Sequence, residues 1–392
     1  MDRPRLKRRF SSIVRQYGLR YHKIYSCRSL YKKAAAYQVF TNKGKLFLKP
    51  FNGPKARLDR VYSQIVWLKK HHFQNMPQWF KTSKGKHYVK NNGRLYYVSE
   101  WIQGSQLGGN EQDYERIGEI LAQLHLISRR SPSVSPSFSM KEINRFHHQH
   151  QMFLRHLPTI RKKRQGIGNW FREQGDQCVR LAEEAWNTLL QSDVQRVIRM
   201  EKPSLIHGDV THPNIIVSSE SIYLLDWEFT RRGSAYYEVA KTLNNITNFS
   251  VPNINALLVG YEKRHPLKPE ERLILASFFR LPREVWIAAR QIRFGIKAPN
   301  FKRLKDSWPN RLEAIQWMDL WAREQPQEPQ ESQEPQELQE TQEPQEPCTA
   351  PVLNEEENGV VDTPPALNEA EVSIVNTTPT PIEEGIGFAD NQ

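Results

Sequence analysis

The sequence has 392 residues, 38% hydrophobic and including 10 Trp, enough for one large domain or two lobes with real cores. Its formal net charge of +13 hides an asymmetry: residues 325–392 hold 14 Glu and 2 Asp with no Lys or Arg, which leaves the rest at +29. Cys27, Cys178 and Cys348 are too few and too scattered for a zinc site or a disulfide framework, and no apolar run approaches the ~20 residues needed to span a bilayer, so a small disulfide scaffold and an inserted membrane protein are both disfavoured.

At the N-terminus, MDRPRLKRRFSSIV is basic but is not followed by an apolar run, so it does not read as a secretory signal, and a soluble protein made in the cytoplasm is expected. AAAYQVFTNKGKLFLKPF predicts two strands, with Val39, Phe40, Leu46 and Leu48 as strand formers and Asn42-Lys43-Gly44 as the turn. RLDRVYSQIVWLKKHHF then places Leu58, Val61, Ile65 and Leu68 at helical spacing. HYVKNNGRLYYVSEWIQG reads as a second hairpin through Asn92-Gly93, so residues 1–103 predict a small sheet with one helix. The alternating aromatics of this hairpin are read as sheet core rather than as a stacking platform for nucleic acid, which is not an expected partner.

From residue 104 the pattern turns helical. DYERIGEILAQLHLIS puts Ile117, Ile120, Leu121 and Leu124 on one face, residues 131–139 form a Pro/Ser loop, and residues 141–200 and 253–320 predict further helices. Only 205–229 interrupts this region with strands. Residues 325–392 repeat a Gln-Glu-Pro unit; Pro blocks helix and little apolar surface remains to bury, so a disordered tail is expected. The outline is an α+β fold with a β-rich lobe (1–103), a mostly helical lobe (104–324) and an acidic tail (325–392).

The interrupting segment is LIHGDVTHPNIIVSSESIYLLDWEF. Its two apolar runs, Asn214–Val217 and Ile222–Leu225, predict a hairpin about SSES that brings Asn214 near Asp226, with Asp209 in the preceding loop. Charged oxygens beside apolar strands are costly unless something offsets them. Oxygen ligands of this kind suit Mg²⁺ bridging to phosphates, and phosphoryl transfer needs a metal clamp plus an aspartate that orients the attacking hydroxyl. Asp209, Asn214 and Asp226 follow the order and spacing of the protein-kinase catalytic loop and metal-binding Asp.

HGDVTHPN followed by LLDWEF resembles the aminoglycoside phosphotransferase and choline kinase superfamily, a branch of the bilobal protein-kinase-like fold. YVSEWIQG looks like its interlobe hinge, and GYEKRHPLKPEERLILASFFRLPREVW is similar to the C-terminal helices of the spore-coat CotS family of endospore-forming bacteria. The resemblance implies that Asp209 orients the acceptor hydroxyl, that His207 supports the catalytic loop, and that Asn214 and Asp226 hold Mg²⁺. It implies further that Lys49 meets the ATP phosphates and that Ser99, Glu100, Trp101 and Ile102 meet the adenine through backbone groups. ATP- and Mg²⁺-dependent transfer to a hydroxyl, in a mother-cell protein associated with the spore coat, is the implied function; coat proteins or coat polyanions are implied partners. Two departures favour the alternative, a weak or inactive scaffold: SCRSLYKKAAAYQVF has no glycine where kinases carry a Gly-rich loop, and the helix after Lys49 offers only Asp59 or Gln64 in place of a glutamate. The basic body argues against a polycationic acceptor and fits an anionic one better.

Overall fold

The computed structural model describes residues 10–27, 36–129, 138–163 and 166–324, all within the unit Met1–Gln327. The Gln-Glu-Pro tail lies outside the described residues, as does most of the predicted Pro/Ser loop; Ser139 instead belongs to a helix.

The small lobe is an antiparallel sheet of β1 (Tyr21–Cys27), β2 (Ala36–Thr41), β3 (Gly44–Phe51), β4 (Val89–Asn91) and β5 (Arg94–Glu100), in the order β1-β2-β3-β5-β4. Both predicted hairpins are present, with Asn92 and Gly93 at positive φ in the second turn. Strand β1 was not expected: YHKIYSC exposes most of its residues on an edge and lacks the apolar alternation that announces a strand. A short helix α1 over residues 10–15 covers one face of the sheet, burying Phe10, Ile13 and Val14 with Val39, Leu46, Leu48, Tyr96 and Val98. Helix α2 (Lys55–Lys70) buries Leu58, Val61, Ile65 and Leu68, the four residues its periodicity singles out.

Strand alternation makes the sheet functional. Leu46 and Leu48 face α1, so Lys49, one residue on, must face the other way. Its register partner on β5 is Tyr97, which turns to the same side. That side belongs to the core shared with the large lobe, where Phe51, Leu95 and Tyr97 join the helices below.

The large lobe contains α3 (Glu111–Arg129), α4 (Phe138–Arg161), α5 (Gly166–Leu189), α6 (Ser192–Met200), α7 (Ala235–Ile246), α8 (Val251–Arg264), α9 (Pro269–Arg280), α10 (Arg283–Arg293) and α11 (Phe301–Trp321). Helices α3 and α8 meet backbone to backbone. A Cβ on Gly118 would lie 2.0 Å from Leu257 O, and one on Gly260 would lie 1.9 Å from Glu115 O. Only glycine permits that approach.

Between α6 and α7 run β7 (Ser204–Ile206), β8 (Ile215–Val217), β9 (Ile222–Leu224) and β10 (Arg231–Gly233). Strands β8 and β9 form the expected hairpin. The interlobe strand β6 (Ser105–Gln106) pairs with β8, and β10 pairs with β7 just past the predicted limit of 229. Those short pairings were illegible because neither two-residue β6 nor Arg231–Gly233 has a strand-like composition.

Candidate active site

The site is built on the loops that end β7 and β9. Leu205 and Ile206 are buried and anchor the loop that starts at His207. Gly208 has φ +82°, and a Cβ there would stand 2.5 Å from Phe229 O, so the loop reverses where only glycine fits. Glu238 on α7, buried, accepts hydrogen bonds from the His207 amide at 3.1 Å and the Gly208 amide at 2.6 Å. His125 Nε2 stands 2.9 Å from the same carboxylate. Burial alone would raise the Glu238 carboxyl, but His125 and these amides outweigh it and hold it below the usual range, so it stays ionised.

His207 has its tautomer set by its neighbours. The Asp209 amide donates to Nδ1 at 3.2 Å, and Leu225 O lies 2.8 Å from Nε2 and can only accept. Nε2 therefore carries the proton and the ring is neutral. Burial pushes its pKa down, against the raising effect of Glu238, Asp209 and Asp226. The buried ring thereby joins the loop that carries Asp209 to the end of β9.

Asn214 sits in a 3₁₀ turn before β8. Its Nδ2 donates to Asp209 O at 3.0 Å and to Asp209 Oδ2 at 3.1 Å. Its backbone carbonyl accepts from the Leu225 amide at 2.7 Å. Asp226 follows in the left-handed region at φ +64° and ψ +58°, a conformation a short Asp tolerates and one that turns its carboxylate back toward the small lobe. Lys49 Nζ meets it at 2.6 Å from Oδ2 and lies 3.1 Å from Glu228 Oε1. Burial would lower the lysine, yet Asp226 and Glu228 outweigh burial and raise its pKa, so it is a firmly charged ammonium.

Helix α2, which has no glutamate, does not supply the lysine's further partner. Asp59 does not reach Lys49; it pairs with Lys55 at 2.5 Å and with His87 at 3.0 Å. The second carboxylate comes from Glu228, two residues past Asp226, which also accepts from Tyr97 Oη at 3.2 Å. Helix α2 acts indirectly, through Arg57 Nη2, which donates to Glu228 O at 3.0 Å. Burial and the neighbouring Asp226 raise the Glu228 pKa, and Lys49 pulls it back.

The residues fit a divalent cation. Asp226 Oδ1 is buried with no hydrogen-bond partner, while Oδ2 is taken by Lys49. Asn214 commits its Nδ2 to Asp209, which leaves its Oδ1 as the amide's ligand atom. Among the described residues no group of three or more His, Cys, Asp and Glu stands at metal-binding spacing. One carboxylate and one amide suit Mg²⁺, which keeps waters and fills its shell with phosphate oxygens.

The interlobe residues divide. Ser99 and Glu100 remain in β5, paired with Phe47 and Leu46, and the Glu100 amide donates to Gln78 O at 2.8 Å. Trp101 and Ile102 lie beyond the strand and are half-buried. Most of the segment before β3 that lacks glycine (residues 28–35) falls outside the described residues.

The chain that carries Lys49, Asp209, Asn214 and Asp226 resembles known proteins in family and fold. The phosphotransferase enzyme family (APH) matches residues 33–273, more than half of the chain. The chain belongs to this family. Its fold is similar to that of an aminoglycoside phosphotransferase from Alicyclobacillus acidocaldarius, with a TM-score of 0.68 at 16% identity over 79% of this chain and 95% of that one. Spectinomycin phosphotransferase APH(9)-Ia gives a TM-score of 0.55 at 16% identity, covering 81% of this chain and 98% of its own. Amicoumacin kinase hAmiN gives 0.51 at 14% identity, covering 81% and 94%. The APH match makes this chain a kinase-type phosphotransferase and accounts for a β-rich lobe set on a helical one.

Sequence reasoning missed Glu228, Glu238 and Lys241. Glu228 stood in the quoted motif, and its spacing of two from Asp226 was the available signal. Glu238 and Lys241 lie on α7, about 30 residues beyond the loop they hold, and carried no local signal.

Proposed function

We propose that the protein transfers the γ-phosphoryl group of ATP to a hydroxyl of an acceptor, with Mg²⁺ held by Asn214 and Asp226. The observation that carries this reading is the pair between Lys49 on the small lobe and Asp226 on the large one, beside Asp209. It sets a cation for nucleotide phosphates against a carboxylate with a free buried oxygen. The spectinomycin phosphotransferase is in complex with ADP, and amicoumacin kinase is in complex with AMP-PNP and Ca²⁺, which supports a nucleotide and a divalent ion here.

Each residue then has a defined task. Lys49 neutralises phosphate charge and is itself steered by Glu228. Asp209, held by Asn214, accepts the hydrogen bond of the acceptor hydroxyl and aims its oxygen at phosphorus. His207 and Glu238 keep the loop in place from below. The adenine meets the backbone past β5, at Trp101 and Ile102, since the Glu100 amide is already engaged by Gln78. Bound Mg²⁺ supplies charge neutralisation and fixes the phosphate geometry.

Glu228 supplies the carboxylate that α2 lacks, which favours an active kinase over an inert scaffold. Association with the spore coat, and coat proteins or polyanions as partners, belongs to the same proposal; it rests on the similarity of residues 260–286 to the CotS family. The test is calorimetric titration of ATP into the protein with and without Mg²⁺, beside Asp226→Asn. Metal-dependent binding that the variant loses is the expected result; no binding to the well-folded parent at millimolar ATP sinks the reading.

A further inference from the structure

A second group of charges stands on the acceptor side of the catalytic loop, and the nucleotide reading does not use it. Lys241 on α7 donates to Gly208 O at 2.6 Å and lies 3.9 Å from Asp209 Oδ1. One turn earlier on the same helix is Tyr237, whose hydroxyl accepts from Arg283 Nη1 at 3.1 Å. Arg283, on α10, stands over Tyr237 and over Phe146 of α4, with its guanidinium carbon 5.2 Å and 5.3 Å from the ring centres. It is 6% exposed, and its Nε has no hydrogen-bond partner. Arg145 lies against the same pair of rings, 4.6 Å from Phe146 and 5.6 Å from Tyr237. Arg231 closes the group: its Nη2 is 3.1 Å from Glu142 Oε1, and its Nη1 would touch a Cβ on Gly208 at 3.2 Å.

Arg145, Arg283 and Lys241 thus gather about Tyr237, with Arg231 beside Gly208 and Lys241 reaching Asp209, while Glu142 pairs with Arg145 and Arg231. The group is open to solvent, with the Arg145, Arg231 and Lys241 side chains 40%, 43% and 17% exposed. A cationic acceptor entering here would meet repulsion from each of them. An anion would gain charge-assisted hydrogen bonds, bidentate where a guanidinium faces it.

We infer that the acceptor carries an anionic group, a phosphate or a carboxylate, close to the hydroxyl that is phosphorylated, and that Arg145, Arg231, Lys241 and the buried Arg283 receive it. This rests on the kinase reading of Asp209. The phenol of Tyr237 reports the same field: burial would push its pKa up, but Arg283, Lys241 and Arg145 outweigh burial and the opposing Glu142, and bring it below the ordinary value. A place that favours a phenolate favours a substrate anion for the same reason.

Arg145 and Arg283 packed on two rings would also serve merely to join α4, α7 and α10, so the experiment must separate support from binding. Glycerol 3-phosphate, glycerate, glycerol and ethanolamine are titrated calorimetrically into the full chain saturated with ADP and Mg²⁺, and into the nucleotide-free chain. At least one of the two anions should bind about tenfold or more tightly than glycerol and ethanolamine, and which one binds names the group. Arg145→Gln should weaken that binding about tenfold, as loss of one charge-assisted contact predicts, without lowering the melting temperature by more than a few degrees. Lys241→Gln, on α7, should weaken it to a similar degree. Equal affinity for all four compounds, no binding of any, or anion binding unmoved in both variants overturns the inference. If ADP fails to bind while the anion preference holds, the kinase reading fails and the anion site stands; ADP binding without anion preference is the reverse.

Discussion

Asp209 and Glu228 are both carboxylates within reach of a lysine, yet they have opposite work. Asp209 is partly exposed and held by an amide, and in the proposed function it orients the acceptor hydroxyl, so Asp209→Ala should cut transfer by about 10³-fold while leaving the melting curve in place, as loss of a general base does. A variant that transfers phosphate as fast as the parent removes the proposed role. Glu228 is buried, and Glu228→Gln keeps a hydrogen bond to Lys49 but deletes the charge. Mg-ATP affinity should fall by about ten- to hundredfold, read by calorimetry, because a buried ammonium is left with one carboxylate instead of two. Unchanged affinity would return the lysine's support to Asp226 alone. His150 gives a pH prediction. Its Nδ1 accepts from Trp186 Nε1 at 2.9 Å, so the fold needs the neutral ring, and burial pushes its pKa down to about 4 from 6.5. Between those values the unfolded chain binds the extra proton and the folded one resists it, so stability is fully present above about 6.5 and is lost as pH falls toward about 4. The loss from this group is on the order of 2–3 kcal/mol. Denaturant midpoints at about pH 7 and about pH 4.5 should show it, and His150→Gln, which retains an acceptor, should flatten the difference.

Elements carry the site by being joined at short range. Helices α3 and α8 touch through Gly118 and Gly260, where there is no room for a methyl group against backbone. Gly260→Ala should therefore cost about 3 kcal/mol, read as a lower denaturant midpoint at constant m-value, even though alanine is the better helix former. A stabilised variant would mean the two helices part easily. The β8–β9 hairpin is tied to the small lobe at two places besides its own ladder: Asn75 Nδ2 donates to Ser221 Oγ and Ile222 O, and the Leu224 amide donates to Asn75 O. Asn75 lies in the connection that follows α2, so the helix and Asp226, the proposed metal ligand, are registered to each other without a direct ion pair.

Among the described residues, the two lobes meet over Lys49, Tyr97, Asp226 and Glu228, and under the proposed function a nucleotide would bridge them there. A ligand that binds only the folded state stabilises it by about 2.7 kcal/mol at a hundred times its Kd. Scanning calorimetry should show Mg-ATP raising the melting temperature by several degrees, and Asp226→Asn should abolish the shift. A shift retained in the variant would place the nucleotide elsewhere. Part of the +29 outside the acidic segment has a particular place: Arg145, Arg283 and Lys241 lie about Tyr237, and Lys241 reaches Asp209.

The two hairpins, the face of α2, the helical large lobe and the Asp209, Asn214 and Asp226 spacing were all legible along the chain. These are local: period 2, period 3.6, turn chemistry and motif spacing each act within a few residues, so one sequence suffices to read them. The missing glutamate of α2 was legible in the same way. What replaces it was not, because Glu228 stands 179 positions beyond Lys49 in the numbering and meets it only when the small-lobe sheet is laid over the other lobe's hairpin. The same holds for β1, whose edge position no alternation signals, and for Glu238, Lys241, Arg145, Arg231 and Arg283. Each of these is an ordinary charged residue in sequence. Packing of α4, α7 and α10 near the loop that carries Asp209 gives them partners and a field, and such long-range pairings leave no periodic trace along the chain.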